Sequence, residues 1–172
     1  MKTIKLLIAL SLVLISLVAC GPSQTKQIKE IKQLEKIIGE TFDTVKMNQL
    51  VLLYDNYISQ FPNDSLSDDY LFKVANLSRV LKNGEKALKY YTLLIQNYPR
   101  SEFVPECYFF KGVVYEEVIY DMGAAALSYK EFINAFPNHQ LAKDAELSLQ
   151  YLGKSPDEIV EMFKNKDVSD TL

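Results

Sequence analysis

Histidine and cysteine are almost absent from this chain: His139 stands alone, and Cys20 and Cys107 are the two thiols. Structural zinc asks for a set of such ligands at short spacing, so the sequence offers no metal site. Basic clusters are missing too. Nineteen Lys and Arg face 22 Asp and Glu, a balance that argues against nucleic acid, whose binding needs concentrated positive charge to displace counterions. The six glycines are scattered singly, leaving no glycine loop to cradle a phosphate. The main apolar run, Leu6 to Leu17, is interrupted by Ser11 and Ser16, and its length falls short of the roughly 20 residues a membrane-crossing helix needs. No nucleophile stands beside a base. Glu116 and Glu117 are adjacent, so on a helix they point in different directions and read as a solvated helix end. His139 follows Pro137 in a turn and reads as a surface residue. The chain is expected to be no enzyme and to carry no cofactor.

What is present begins at the N-terminus. Lys2 and Lys5 precede the short apolar run, and Val18-Ala19 then lead to Cys20. A basic start, a short apolar core and a small residue before the cut describe a secretory signal rather than a fold element. Leu17 to Cys20 resembles the lipobox of bacterial lipoproteins. That resemblance implies cleavage before Cys20 and a lipid on its sulfur, which converts a spanning segment into an anchor. A plain signal with an incidental cysteine is the competing reading. Residues 1–19 are thus expected to be a lipoprotein signal peptide and 20–27 a lipidated tether. Residues 28–164 form a helical domain and 165–172 a disordered tail. The processed chain has 17 basic and 22 acidic side chains, so attachment is expected to rest on Cys20 alone. With Cys20 alkylated no internal disulfide can form, and Cys107, in the run Cys107-Tyr108-Phe109-Phe110, reads as a small core residue. Gly21 lacks the aspartate that retains such lipoproteins in the inner membrane. The resemblance therefore implies an outer-membrane anchor facing the periplasm.

The processed chain repeats itself. Tyr54, Phe61 and Pro62 return as Tyr91, Tyr98 and Pro99, and again as Tyr129, Phe136 and Pro137, with the prolines 37 and 38 residues apart. A fixed period of this size signals stacked helical units. Leu88, Tyr91, Leu94, Ile95 and Tyr98 form one helical stripe, which Pro99 ends. Leu71, Val74 and Ala75, with Leu77 and Leu81, form the stripe before it, and Asn83-Gly84 marks the turn between. In the third unit Tyr108, Phe109, Gly112, Val113 and Tyr115 open the first helix. Asp121-Met122-Gly123 turns, and Ala125, Leu127, Tyr129, Phe132, Ile133 and Phe136 line the second. Ser155-Pro156-Asp157-Glu158 reads as a helix start, and its helix is expected to lay Ile159, Val160 and Phe163 over the last unit.

These units resemble tetratricopeptide (TPR) repeats. Ala75, Ala87, Tyr91 and Pro99 match the family's spacing of small, small, aromatic and proline positions. Gly112, Ala125, Tyr129 and Pro137 match it with one residue inserted near the turn, and Ile38, Leu50, Tyr54 and Pro62 keep the spacing without the small residues. The resemblance implies an all-α, TPR-like α-solenoid of about three helical hairpins with C-terminal capping helices. The long link after each aromatic-Pro pair is similar to that of envelope TPR proteins of two kinds: the outer-membrane assembly lipoproteins of the BamD family, and the TPR domain of the Tol-Pal-associated YbgF (CpoB) family.

The family's groove positions fall on Asp69, Phe72, Asn76 and Arg79 and on Glu106, Phe109, Val113 and Glu116. They imply an acidic and aromatic surface suited to an extended or helical peptide of an envelope protein. The competing reading places Phe72 and Phe109 in the core. The expected function is a membrane-anchored periplasmic scaffold, an accessory in outer-membrane protein assembly. The alternatives are a Tol-Pal or cell-wall coordination adaptor and, more remotely, an enzyme or carrier with a cavity in the helical stack.

Overall fold

The computed structural model describes residues 23–169. The signal segment and Cys20 lie outside the described residues. Within them the chain is all α-helical. Four helices, α1 (Gln24–Glu40), α2 (Thr44–Gln60), α3 (Ser67–Val80) and α4 (Gly84–Asn97), make the first half. They are followed by α5 (Val104–Val114), α6 (Met122–Ala135), α7 (Ala142–Tyr151) and α8 (Pro156–Ser169). From α1 to α7 the main packing joins each helix to the next in the chain.

The caps explain where the helices start. Asp43, Asn83 and Asp121 precede α2, α4 and α6, and each side chain accepts from the backbone N–H three residues on, at Lys46, Lys86 and Ala124. Such caps satisfy donors that the first turn leaves unpaired, for ~1 kcal/mol each. Ser155 and Glu158 cap α8 reciprocally, the Ser155 N–H donating to Glu158 Oε2 at 2.7 Å and the Glu158 N–H to Ser155 Oγ at 3.3 Å.

The three links share one geometry. Phe61, Tyr98 and Phe136 end α2, α4 and α6 with φ of −128°, −130° and −135° and ψ of 54°, 58° and 55°. The proline that follows each of them excludes helical geometry there. The chain then makes two turns in every case. Asp64, Ser101 and His139 donate back to the aromatic carbonyl, and Ser67, Val104 and Ala142 donate to theirs. The side chains of Asp64, Ser101 and His139 each accept from the N–H two residues on. This role corrects the surface reading of His139. Its Nδ1 accepts from Leu141, which leaves the ring proton on Nε2, 3.6 Å from Glu106 Oε1. Its ring meets Phe132 edge-on at 5.7 Å.

The residue inserted in the third unit is absorbed by a π-helical turn, Tyr115–Ile119, at the end of α5. A π-turn spans one residue more than an α-turn. It closes with Tyr120 at φ 64°, the counterpart of Lys82 at φ 58° in the unit before. Each left-handed residue hands the chain to the capping Asn or Asp.

Two aromatic-rich clusters form the core. The larger runs from Ile31 through Leu50, Tyr54, Tyr57, Tyr70, Leu71, Val74 and Tyr91 to Cys107 and Val114. The smaller gathers Phe109, Ala125, Tyr129, Phe132 and Ala145. Tyr108, Phe110 and Phe136 pack against both and join them. Ala75, Ala87 and Ala125 are fully buried, and Gly112 is buried beside Tyr129. Cys107 is fully buried as expected, and burial pushes its thiol up to about 12.

Several boundaries differ from expectation. The first helix starts at Gln24 instead of Ile28, because Gln24 and Gln27 are held in place. Gln24 donates to the Tyr57 hydroxyl and to Asp64, and Gln27 donates to Gln60. The last helix runs to Ser169, into the stretch expected to be disordered. Leu127 is 60% exposed, since two residues after buried Ala125 is a rotation of ~200°, and Ser128 takes the inward position. Val160 is 50% exposed, so it does not shield the last unit. The side chain of Phe163 lies outside the description.

Candidate functional site

A trough of about 520 Å³ opens along α1, α2 and α3. Leu50 and Tyr54 of α2 line it with Leu77 and Val80 of α3. Phe72 of α3 and Phe103, just before α5, complete the apolar wall. Their rings stack at 4.7 Å with 10° between planes, so they present one rigid aromatic surface. Val80 is 44% exposed, an apolar edge left open to solvent.

The rim is charged. Lys73 Nζ bridges two carboxylates, 2.8 Å from Asp69 and 3.0 Å from Glu35. Burial disfavours its charge, but the bonds to Asp69 and Glu35 more than offset this and hold its pKa above the ordinary lysine value. Glu35 also accepts from the Tyr54 hydroxyl at 2.8 Å. Burial, and then the Glu35 carboxylate, push that hydroxyl far above the ordinary phenol range, so it stays a neutral donor. Two carboxylates against one ammonium leave the rim acidic, and partly exposed charges of this kind act on partner choice more than on stability.

The tyrosine of each unit makes an equivalent bond. Tyr54 donates to Glu35, Tyr91 to Asn76 and Tyr129 to Glu116, at 2.8, 2.8 and 2.6 Å. Each bond ties the second helix of a pair to the first. Glu116 is therefore engaged and half-buried, not the solvated helix end its neighbour Glu117 is.

Of the eight groove residues expected from sequence, Asp69, Phe72 and Asn76 line the trough together. Arg79 lies further along, its guanidinium 5.0 Å from the Phe110 ring. The third-unit set does not join them. Phe109 is 9% exposed and packs on Tyr129 and Phe132. Val113 rests against the same cluster, Glu106 pairs with His139, and Glu116 serves Tyr129. The aromatic of α5 that approaches Phe72 is Phe110, at 6.2 Å. Spacing from Gly112 missed by one residue because Tyr108, Phe109 and Phe110 lie about 100° apart, and only the roll of α5 decides which meets Phe72. Phe103 was missed because it precedes the helix from which positions were counted.

Among the described residues no group of three His, Cys, Asp or Glu lies together as a metal set, and no helix is long and apolar enough to cross a membrane. No known family model matches the chain, and no curated protein matches it in sequence.

Proposed function

We propose that this protein is a lipid-anchored, TPR-type helical scaffold of the bacterial envelope. It holds a segment of a partner protein in the trough between Phe72 and Val80, and its anchor is Cys20. The sequence resemblance favours an accessory role in outer-membrane protein assembly. The TPR-type reading is supported by the recurrence of link dihedrals, turn hydrogen bonds and tyrosine bonds at the period of the prolines, and by the burial of Ala75, Ala87, Gly112 and Ala125 at the family's close-packing positions.

The open aromatic trough carries the functional reading. A stacked Phe72–Phe103 pair, partly buried against the core, beside an exposed Val80, is apolar surface that the domain's own packing covers only in part, rimmed by charge, as peptide-binding grooves are. The partner segment is one with an apolar anchor residue flanked by Lys or Arg, which the Glu35 and Asp69 carboxylates favour. Aromatic anchors of this type cost ~2 kcal/mol or more when truncated. The test is crosslinking in intact envelopes. Partners recovered with the unaltered protein should be recovered about thirtyfold more weakly with Phe72→Ala, an effect of ~2 kcal/mol. Val80→Lys should weaken recovery too, and Leu127→Ala, exposed on another helix, should not. Full recovery by both trough variants, with helicity unchanged, would place the partner elsewhere.

A further inference from the structure

The first helix carries a charge pattern the trough does not use. Lys26, Lys29, Lys32 and Lys36 follow at spacings of three, three and four, which sets them on one ridge of α1. The inward residues Gln27, Ile31, Leu34 and Ile38 run along the opposite side. All four lysines are exposed, and none has an ion-pair or hydrogen-bond partner among the described residues. Lys46, Lys73 and Lys86, by contrast, are ion-paired, and Lys89 and Lys111 lie over tyrosine rings. The ridge is the basic part of an acidic protein. Helix α1 has four lysines against three glutamates, one of them engaged by Lys73, while the chain after it has 13 basic against 19 acidic side chains. Beside the ridge, Ile37 and Leu52 are 40% and 60% exposed and line a shallow depression of about 480 Å³ between α1 and α2.

We infer that this ridge lies against anionic phospholipid headgroups, so that the domain rests on the membrane along α1. The inference builds on the proposed anchor at Cys20, because α1 starts four residues after it. At ~3.5 Å per residue that distance is at most about 14 Å, which delivers the ridge to the surface. The lysines span about 15 Å of helix, and each one near an anionic surface strengthens binding roughly fivefold. Ile37 and Leu52 sit at headgroup level beside them, the pairing of basic and apolar side chains that interfacial helices use. Glu35 lies on a different side of α1 from the ridge, so the trough it borders stays open to a partner.

The test uses the whole lipid-bearing chain, purified from membranes and inserted by its own anchor into vesicles. One set is phosphatidylcholine alone, and the other also contains phosphatidylglycerol. A membrane-impermeant amine-acylating reagent is applied at low and high salt, and each lysine is read by mass spectrometry. On the anionic vesicles at low salt, Lys26, Lys29, Lys32 and Lys36 should react roughly fivefold or more slowly than on neutral ones, and high salt should restore them. Lys82, exposed in the turn between α3 and α4, and Lys130 and Lys143, exposed on other helices, should react alike throughout. Equal rates at the four lysines on both vesicles overturn the inference. So does protection that persists on neutral vesicles at high salt, which would assign the ridge to a protein contact. If the chain shows the protection at low salt but leaves the vesicles at high salt, the ridge stands and the anchor at Cys20 fails. A chain that associates with neither vesicle overturns both.

Discussion

Gly112→Ala is expected to cost about 3 kcal/mol or more, the upper range for overpacking a core. A methyl group there would lie 2.6 and 2.7 Å from the Cε1 and Cδ1 atoms of Tyr129. The ring cannot step aside. It is 1% exposed, it packs on Phe109, and its hydroxyl is tied to Glu116. The same substitution at Gly39 meets nothing within 4 Å and replaces a helical glycine, so it should raise stability by ~0.5–1 kcal/mol. Urea denaturation of the two variants checks both signs together. A neutral Gly112→Ala would mean that α5 and α6 are not in close contact.

Phe132→Ala should be at least as damaging, at ~3–5 kcal/mol. Phe132 is fully buried and meets Phe109, Phe136 and His139 within 6 Å between ring centres. Removing it opens a cavity that three other rings border. Because Tyr108, Phe110 and Phe136 link the smaller cluster to the larger, the loss should lower one shared unfolding transition. A separate early transition in the variant would show that the last helices melt independently of the rest. Phe132→Leu, which keeps most of the volume, should cost less than half as much.

Much of this fold was legible in the sequence because the features that set helix ends are local. Proline after an aromatic ends α2, α4 and α6, and at the Asn83-Gly84 and Asp121-Met122-Gly123 turns the Asn83 and Asp121 side chains start α4 and α6. Small residues at Ala75, Ala87, Gly112 and Ala125 marked the close contacts. The extra residue of the third unit was visible by counting, but its conversion into the π-turn Tyr115–Ile119 was not, since nothing in composition distinguishes a π-turn from a longer loop. Polar residues hid the start of α1: Gln24 and Gln27 are held by hydrogen bonds to distant parts of the chain, which an apolar stripe does not register. Leu127, expected to line α6, is exposed for a different reason: it lies ~200° around the helix from buried Ala125, and rotation about the axis outweighs side-chain polarity.

The candidate site divided along similar lines. Asp69, Phe72 and Asn76 are on one helix, so one spacing rule placed all three. Glu35 of α1 and Phe103, just before α5, reach the same trough from elsewhere in the chain, and Phe110 of α5 comes within 6.2 Å of Phe72; their arrival depends on how the helices roll and pack. The lysine ridge was in the sequence throughout. An acidic total charge concealed it, because a sum over the chain carries no information about which face of a helix the charges occupy.

The proposed placement of this protein at a membrane depends on Cys20, and the mass of its N-terminal peptide tests that proposal directly. Protein extracted from membranes should begin at Cys20, with diacylglycerol on its sulfur. Cys20→Ala should lose fatty-acid labelling and leave the membrane fraction, since in the proposed anchor several acyl chains at ~0.8 kcal/mol per buried methylene would hold the chain there. A chain that retains residues 1–19, or that begins beyond Cys20, or that carries a free thiol at Cys20 while remaining membrane-bound, would contradict the anchored scaffold.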